Sequence, residues 1–190
     1  EDAANTTIDL SATFTDVDNT DSEITKVIKS NTPSGKIVAS ISNDILTLDY
    51  QDNQNGIVTI TLTGTSNSLT VDTSFTVTIN AVNDVAVATG QTVSADEDTD
   101  KKITLAGTDA DGDSLTYNIT TLPANGTLFQ TTDGSTRGNT ITSVPTTVSD
   151  TSHRVIYVSA QDGNGDGHGN FGFKINDGTS DSDEATVTVN

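Results

Sequence analysis

Apolar and polar residues alternate along several short windows of the chain. The clearest are Ile57-Val58-Thr59-Ile60-Thr61-Leu62-Thr63, Phe75-Thr76-Val77-Thr78-Ile79 and Ala185-Thr186-Val187-Thr188-Val189. A period of two built from β-branched residues predicts strands with one buried face, and no stretch carries a comparable helical period. Between the windows lie Asn55-Gly56, Asp111-Gly112-Asp113, Asn125-Gly126, Asp133-Gly134 and Asp177-Gly178. Such pairs tolerate positive φ and make tight turns. Short strands punctuated in this way predict an all-β protein built as a sandwich.

The pattern repeats. Glu1-Asp2, Ile8-Asp9-Leu10 and Asp16-Val17-Asp18 are echoed by Glu97-Asp98, Ile103-Thr104-Leu105 and Asp109-Ala110-Asp111, at an offset of about 95 residues. The closing strands match as well, Thr76-Val77-Thr78-Ile79-Asn80 against Thr186-Val187-Thr188-Val189-Asn190. Two tandem copies of one domain are expected, residues 1–83 and 84–190. The strand expected over Val85 to Ser94 has no counterpart before Glu1, so the first copy should lack its first strand and expose a sheet edge. A chain of this kind reads as a piece of a longer array.

Composition sharpens this picture mainly by exclusion. Only 4% of the 190 residues are aromatic and the net charge is −19, a combination that leans towards disorder until the alternation is considered. Eight Lys and Arg among 27 Asp and Glu cannot build a cationic face, so neither nucleic acid nor an anionic membrane surface is an expected partner. No apolar run approaches the roughly 18 residues of a membrane span. With no Cys, disulfides, thiolate zinc sites and cysteine nucleophiles are excluded. The acidity belongs to both copies, with 3 basic and 11 acidic residues in 1–83 and 5 and 16 in 84–190.

More than half of the 27 acidic residues fall in four windows: Asp16 to Glu23, Asp96 to Asp100, Asp109 to Asp113 and Asp177 to Glu184. Asp is common in solvated turns, and that accounts for many of them. In extended chain, however, residues i and i+2 point the same way, so Asp16-x-Asp18 and Asp109-x-Asp111 each aim two carboxylates at one point. Like charges so close repel unless a cation lies between them. Calcium suits this best, because it takes six to eight oxygens in flexible geometry. Asp162-Gly163-Asn164-Gly165-Asp166-Gly167 resembles the first half of an EF-hand loop, with Asp162, Asn164 and Asp166 as candidate ligands. Phe173 stands where the closing Glu would be and no helices flank the loop, so it is expected to be a plain calcium loop.

These residues carry a family resemblance. Ala95-Asp96-Glu97-Asp98-Thr99, then Gly107 through Tyr117, then Ile175-Asn176-Asp177-Gly178 and the strand Ala185 to Val189 are similar to the cadherin-like repeats of large bacterial surface proteins. Val82-Asn83-Asp84 resembles the Asp-x-Asn-Asp junction of cadherins, with Ala81 where their first Asp stands. The resemblance implies two Greek-key β-sandwiches of cadherin or immunoglobulin type. It also implies an inter-repeat calcium cluster drawing on Glu1, Asn83, Asp84, Asp109, Asp111 and Asp177, with Asp49 or Asp52 as additions. Half-sites would remain at Asp16, Asp18 and Asp21 at one end, and at Glu97 and Asp98 at the other.

Catalysis is not expected. His153 and His168 are the only histidines, neither lies in an HExxH pattern, and no Gly-x-Ser-x-Gly elbow occurs. Paired carboxylates could serve glycoside hydrolysis, but three Tyr and no Trp provide little of a sugar platform. The expected function is that of calcium-rigidified extender repeats in an extracellular or cell-surface adhesin, with neighbouring repeats as partners. The alternative is a module that binds a polysaccharide or cell-surface ligand through calcium, homophilic adhesion included.

Overall fold

A computed structural model describes residues 1–160 and 168–190. The chain divides into two compact units, Glu1–Val82 and Asn83–Asn190. Both are all-β, and the only helical element among the described residues is a 3-10 turn at Asp21–Glu23.

The first unit contains β1 (Thr6–Asp9), β2 (Thr25–Thr32), β3 (Ile37–Ser42), β4 (Ile45–Tyr50), β5 (Gly56–Ser66) and β6 (Leu69–Ile79). They form two three-stranded sheets, ordered β1-β4-β3 and β2-β5-β6. Alternation along β5 sends Val58, Ile60 and Leu62 into the core, where they join Leu10, Phe14, Ile24, Ile37, Leu46, Leu48 and Ile79. Asn43 and Asp44 link β3 to β4 with both φ values positive, and Asn67 and Ser68 do the same between β5 and β6. Two central residues at positive φ make the primed turns whose twist matches a hairpin. β2 inverts the usual pattern: Lys26 is buried while Val27 is exposed. The lysine tolerates this because its ammonium reaches Asp44 Oδ1 at 2.9 Å and the Asp21 carbonyl at 3.2 Å.

The second unit contains β7 (Val87–Thr89), β8 (Gln91–Val93), β9 (Asp100–Thr104), β10 (Ala106–Thr108), β11 (Thr116–Thr121), β12 (Thr127–Gln130), β13 (Thr146–Thr147), β14 (Arg154–Val158), β15 (Phe171–Asn176) and β16 (Ala185–Val189). One sheet runs β13-β11-β15-β16-β8, a second β12-β14-β9, and β10 pairs with β7. The opening segment changes sheets at Gly90: β7 lies antiparallel to β10, and β8 parallel to β16. A Cβ at Gly90 would meet the Thr186 carbonyl oxygen at 2.9 Å, so the crossing admits only glycine without a shift. Tyr117, Ile119, Tyr157, Phe171, Phe173, Ile175 and Val187 fill the core. His153 is half-buried and stacks on Tyr117 with ring centroids 4.1 Å apart.

Candidate metal centre

The segment leaving β10 turns sharply within a few residues. Asp109 Oδ1 accepts the Asp113 N–H at 2.9 Å, and Gly112 supplies a φ of +78°. The bend brings ligand oxygens of Asp109, Asp111 and Asp113 within 4.8 Å of one another. Among the described residues no salt bridge reaches these three carboxylates, and one of their oxygens stands out. Asp109 Oδ2 is buried, and among the described residues no donor reaches it. A carboxylate oxygen withdrawn from water without a donor is expensive, and such atoms are rare in folded proteins.

The first residues of the unit are fastened to this loop. The Asp84 N–H donates to Asp111 Oδ2 at 2.8 Å, and Asn83 Nδ2 donates to Asp177 Oδ2 at 3.0 Å. Asp177 follows β15, and its Oδ1 accepts the N–H groups of Thr179 and Ser180, both at 2.7 Å. The Ser180 N–H, the Asn83 amide and the Thr179 N–H hold its carboxyl far below the usual carboxylate range. Asp177 therefore stays ionised and anchors Asn83, with most of its acceptor capacity already engaged.

The matching loop of the first unit is built differently. Asp16 Oδ1 accepts the N–H groups of Asp18 at 2.8 Å and Asn19 at 3.2 Å, and Asn19 Nδ2 donates to Ser66 Oγ. The Asp18 N–H, then the Ser66 side chain and, less, the Asn19 N–H hold the Asp16 carboxyl below its usual value. Where the second unit has Asp113, this loop has Thr20, and among the described residues Asp16 and Asp18 belong to no group of three carboxylates. Asp21 heads the 3-10 turn. Glu1 is buried at the opposite end of the first unit: Oε1 accepts the Val82 N–H at 2.8 Å, Oε2 accepts Asn55 Nδ2 at 3.3 Å, and the amine donates to the Asn80 carbonyl at 2.7 Å. The Val82 N–H is the main cause that lowers its carboxyl. Asp49 lies in β4 and Asp52 in the exposed turn after it.

Glu97 and Asp98 form an exposed turn in the second unit, with Asp98 at φ 55°, close to the 57° of Asp2 at the equivalent position. The Asp162, Asn164 and Asp166 loop lies outside the described residues. Asp113 is a member of the carboxylate group that the pairwise reading of the sequence passed over. Its signal was present in the sequence, since Asp109, Asp111 and Asp113 continue the same alternation.

A model of the SibA-like, immunoglobulin-like domain matches residues 68–190, which is β6 of the first unit and all of the second. The chain belongs to the SibA-like immunoglobulin-like domain family. Membership agrees with the β-sandwich architecture of the second unit. No curated protein matches the sequence. Among solved structures, the chicken VE-cadherin EC1-2 pair is 12% identical, with 100% of this chain and 92% of that one covered and a TM-score of 0.42. The protocadherin GammaB4 extracellular domain is 14% identical, covering 88% of this chain and 27% of that one, TM-score 0.43. The endo-fucoidan hydrolase MfFcnA4 is 19% identical over 88% of this chain, with a TM-score of 0.39, and the chain spans only 23% of its length. Likenesses this slight carry no functional inference.

Proposed function

We propose that the two units are calcium-stiffened spacer repeats of an extracellular or cell-surface protein of the adhesin type. The observation that carries this is the buried Asp109 Oδ2 without a hydrogen-bond donor, inside a group of three carboxylates. A hydrogen-bonded acidic turn would leave no such atom; a divalent cation satisfies it. Asp109, Asp111 and Asp113 would hold the ion, and Asp177 acts behind them by fixing Asn83 and so the start of the unit. The donor set is all oxygen and held on a loop, which suits calcium better than magnesium with its strict octahedron. Bound there, calcium would supply the positive charge that three converging carboxylates lack.

Glu1 enters the proposal through chain connectivity: its carboxylate is tied to the Val82 N–H, and Val82 is followed directly by Asn83 and Asp84. Asp16 and Asp18, Glu97 and Asp98, and Asp162, Asn164 and Asp166 remain proposed as further ligands, of which the first two pairs would be completed by neighbouring repeats. Glycan recognition is less well supported. Of the three tyrosines, Tyr117 and Tyr157 are buried, and the Tyr50 hydroxyl donates to Thr6 Oγ1.

Calorimetric titration of the chain with calcium, before and after Asp109→Asn, tests the proposal. Saturable binding in the range of about 10⁻⁴ to 10⁻³ M that the substitution abolishes is expected. No heat of binding at millimolar calcium, together with an unchanged maximum dimension by X-ray scattering in EDTA, would overturn it.

A further inference from the structure

Among the described residues each unit contains one Asn-Gly pair, Asn55-Gly56 in the first and Asn125-Gly126 in the second. In such a pair the glycine nitrogen can attack the asparagine side chain, because no Cβ hinders the approach, provided that its N–H is not engaged elsewhere. Gly56 opens β5. Counted from the two-residue turn at Asn67 and Ser68, hydrogen-bonded and open pairs alternate along β5 and β6, and Gly56 with Ile79 falls among the bonded ones. Its N–H is therefore engaged in the ladder. Gly126 lies in the turn from β11 to β12 at φ +87°, and its N–H meets no acceptor among the described residues. We propose that Asn125 is a self-modification site, whose side-chain amide converts to aspartyl and isoaspartyl carboxylates through a cyclic imide with Gly126.

In the first step hydroxide takes the Gly126 amide proton and the nitrogen forms a bond to Asn125 Cγ. The Cγ–Nδ2 bond then breaks, and Nδ2 leaves as ammonia after taking up a proton from water. A second water opens the ring at either carbonyl, which leaves an aspartate or an isoaspartate at position 125. Three features of the turn favour this chemistry. Asn125 is exposed, so hydroxide and water reach it. Its side chain is held by a single hydrogen bond among the described residues, from Nδ2 to the His168 carbonyl at 3.1 Å. Its own carbonyl accepts the Tyr157 hydroxyl at 3.0 Å, and a donor there stabilises the negative charge that spreads onto this oxygen when the Gly126 nitrogen is deprotonated. The Asn55 carbonyl has a comparable donor in the Lys36 ammonium, so the engaged Gly56 N–H is what separates the two pairs. The product cannot keep the link to His168, since a carboxylate oxygen in the place of Nδ2 has no proton to donate. An isoaspartate also lengthens the main chain where room is short: a Cβ on Gly126 would already meet the Val158 carbonyl oxygen at 2.5 Å and the Tyr157 ring at 2.6 Å. Modification therefore releases the turn from His168 and from the approach to β15.

The test ages the whole chain in mildly alkaline buffer, folded and in urea, and locates the new carboxylates by peptide mapping. A protein isoaspartyl methyltransferase with a labelled methyl donor counts the isoaspartate in each peptide. The Asn164-Gly165 pair, which lies outside the described residues, is mapped as a separate peptide. In the folded chain Asn125 is expected to convert about tenfold faster than Asn55, whose ladder bond must first open. In urea the two rates should converge, since each asparagine is then followed by a free glycine. Equal rates in the folded chain, or a faster Asn55, would overturn the proposal. A gap of the same size in urea would do so too, because the sequence and not the turn would then set the rate. So would conversion at Asn125 in urea with none in the folded chain, because the native turn would then protect the amide.

Discussion

The second unit covers both sides of its last strand and gathers three carboxylates after β10, while the first leaves β6 uncovered and its Asp16 loop hydrogen-bonded to its own backbone. One sequence pattern, repeated with small changes, has produced a more closed unit and a more open one. Thr20 in place of Asp113 removes a third carboxylate, and the Asp16 turn is satisfied internally. Val187 lies fully buried beside β8, whereas Val77 on the edge strand β6 is half-buried. The lesson is that the acidic loops and the sheet edges vary independently of the shared core alternation.

The largest expected difference concerns how each unit holds a partly or wholly buried cation. Asp150, 4% exposed, accepts from the N–H groups of Ser152 and Arg154 and from Arg154 Nε and Nη2. The Arg154 guanidinium is the main cause that brings its carboxyl down to about 2. Its folded pKa lies below the unfolded value of about 3.9, so its stabilisation is complete above roughly pH 4 and is lost as pH falls through 2. Asp150→Ala should lower the melting temperature of residues 83–190 by roughly 15 °C at pH 7 and by little near pH 2, as followed by residue-resolved NMR. The first unit, pinned instead by Lys26 and Asp44, should be unmoved by that substitution. Equal losses in both units would mean that they unfold as one.

The next comparison measures the seal on each last strand. Val187→Ala removes fully buried methyl groups and is expected to cost about 2 kcal/mol. Val77→Ala, at the half-buried counterpart, should cost about 1 kcal/mol or less. Urea titrations read by amide exchange in each unit check this. Matching costs would show that β6 is covered in solution as β16 is.

Much of this could be read from alternation and turn pairs. The windows at Ile57, Phe75 and Ala185 lie in β5, β6 and β16, because period two needs only local chemistry. Other features depend on neighbours that are distant in sequence. The Asn43-Asp44 and Asn67-Ser68 turns carry no glycine and gave a weaker signal than Asn-Gly, although both adopt positive φ. Lys26 reads as an exposed strand residue until Asp44 and the Asp21 carbonyl meet its ammonium. In the carboxylate group, the alternation at 109, 111 and 113 was visible. The burial of a single Asp109 oxygen was not, since burial is a property of the packed loop.

Calcium should separate the two acidic loops. A site filled at ten times its dissociation constant adds about 1.4 kcal/mol to the unit that holds it. That gain is expected in residues 83–190 and should vanish with Asp111→Asn. Asp18→Asn, in the loop where Asp16 is already satisfied by the Asp18 and Asn19 N–H groups, should leave it intact. Thermal melts in calcium and in EDTA decide this, and dependence on Asp18 alone would transfer the leading site to the first unit.

The smallest expected effect lies on the two outer faces, where each unit carries an exposed ion pair among the described residues. In the first, Lys29 on β2 reaches across β5 to Asp72 on β6, which also accepts the Thr63 hydroxyl at 2.6 Å. In the second, Arg137 donates from Nε and Nη2 to Asp100 Oδ1 and lies 5.2 Å above the Phe129 ring. Lysine offers a flexible point charge, and the entropy of ordering it cancels much of the attraction. The guanidinium adds a planar contact with an aromatic face that salt does not screen away. Lys29→Ala should therefore shift melting by less than about 2 °C, and that shift should disappear in 0.5 M salt. Arg137→Ala should shift it by roughly 4 °C and retain about half of that in the same salt. If both shifts vanish together, the ring contributes nothing, and the two faces are held by equivalent charges after all.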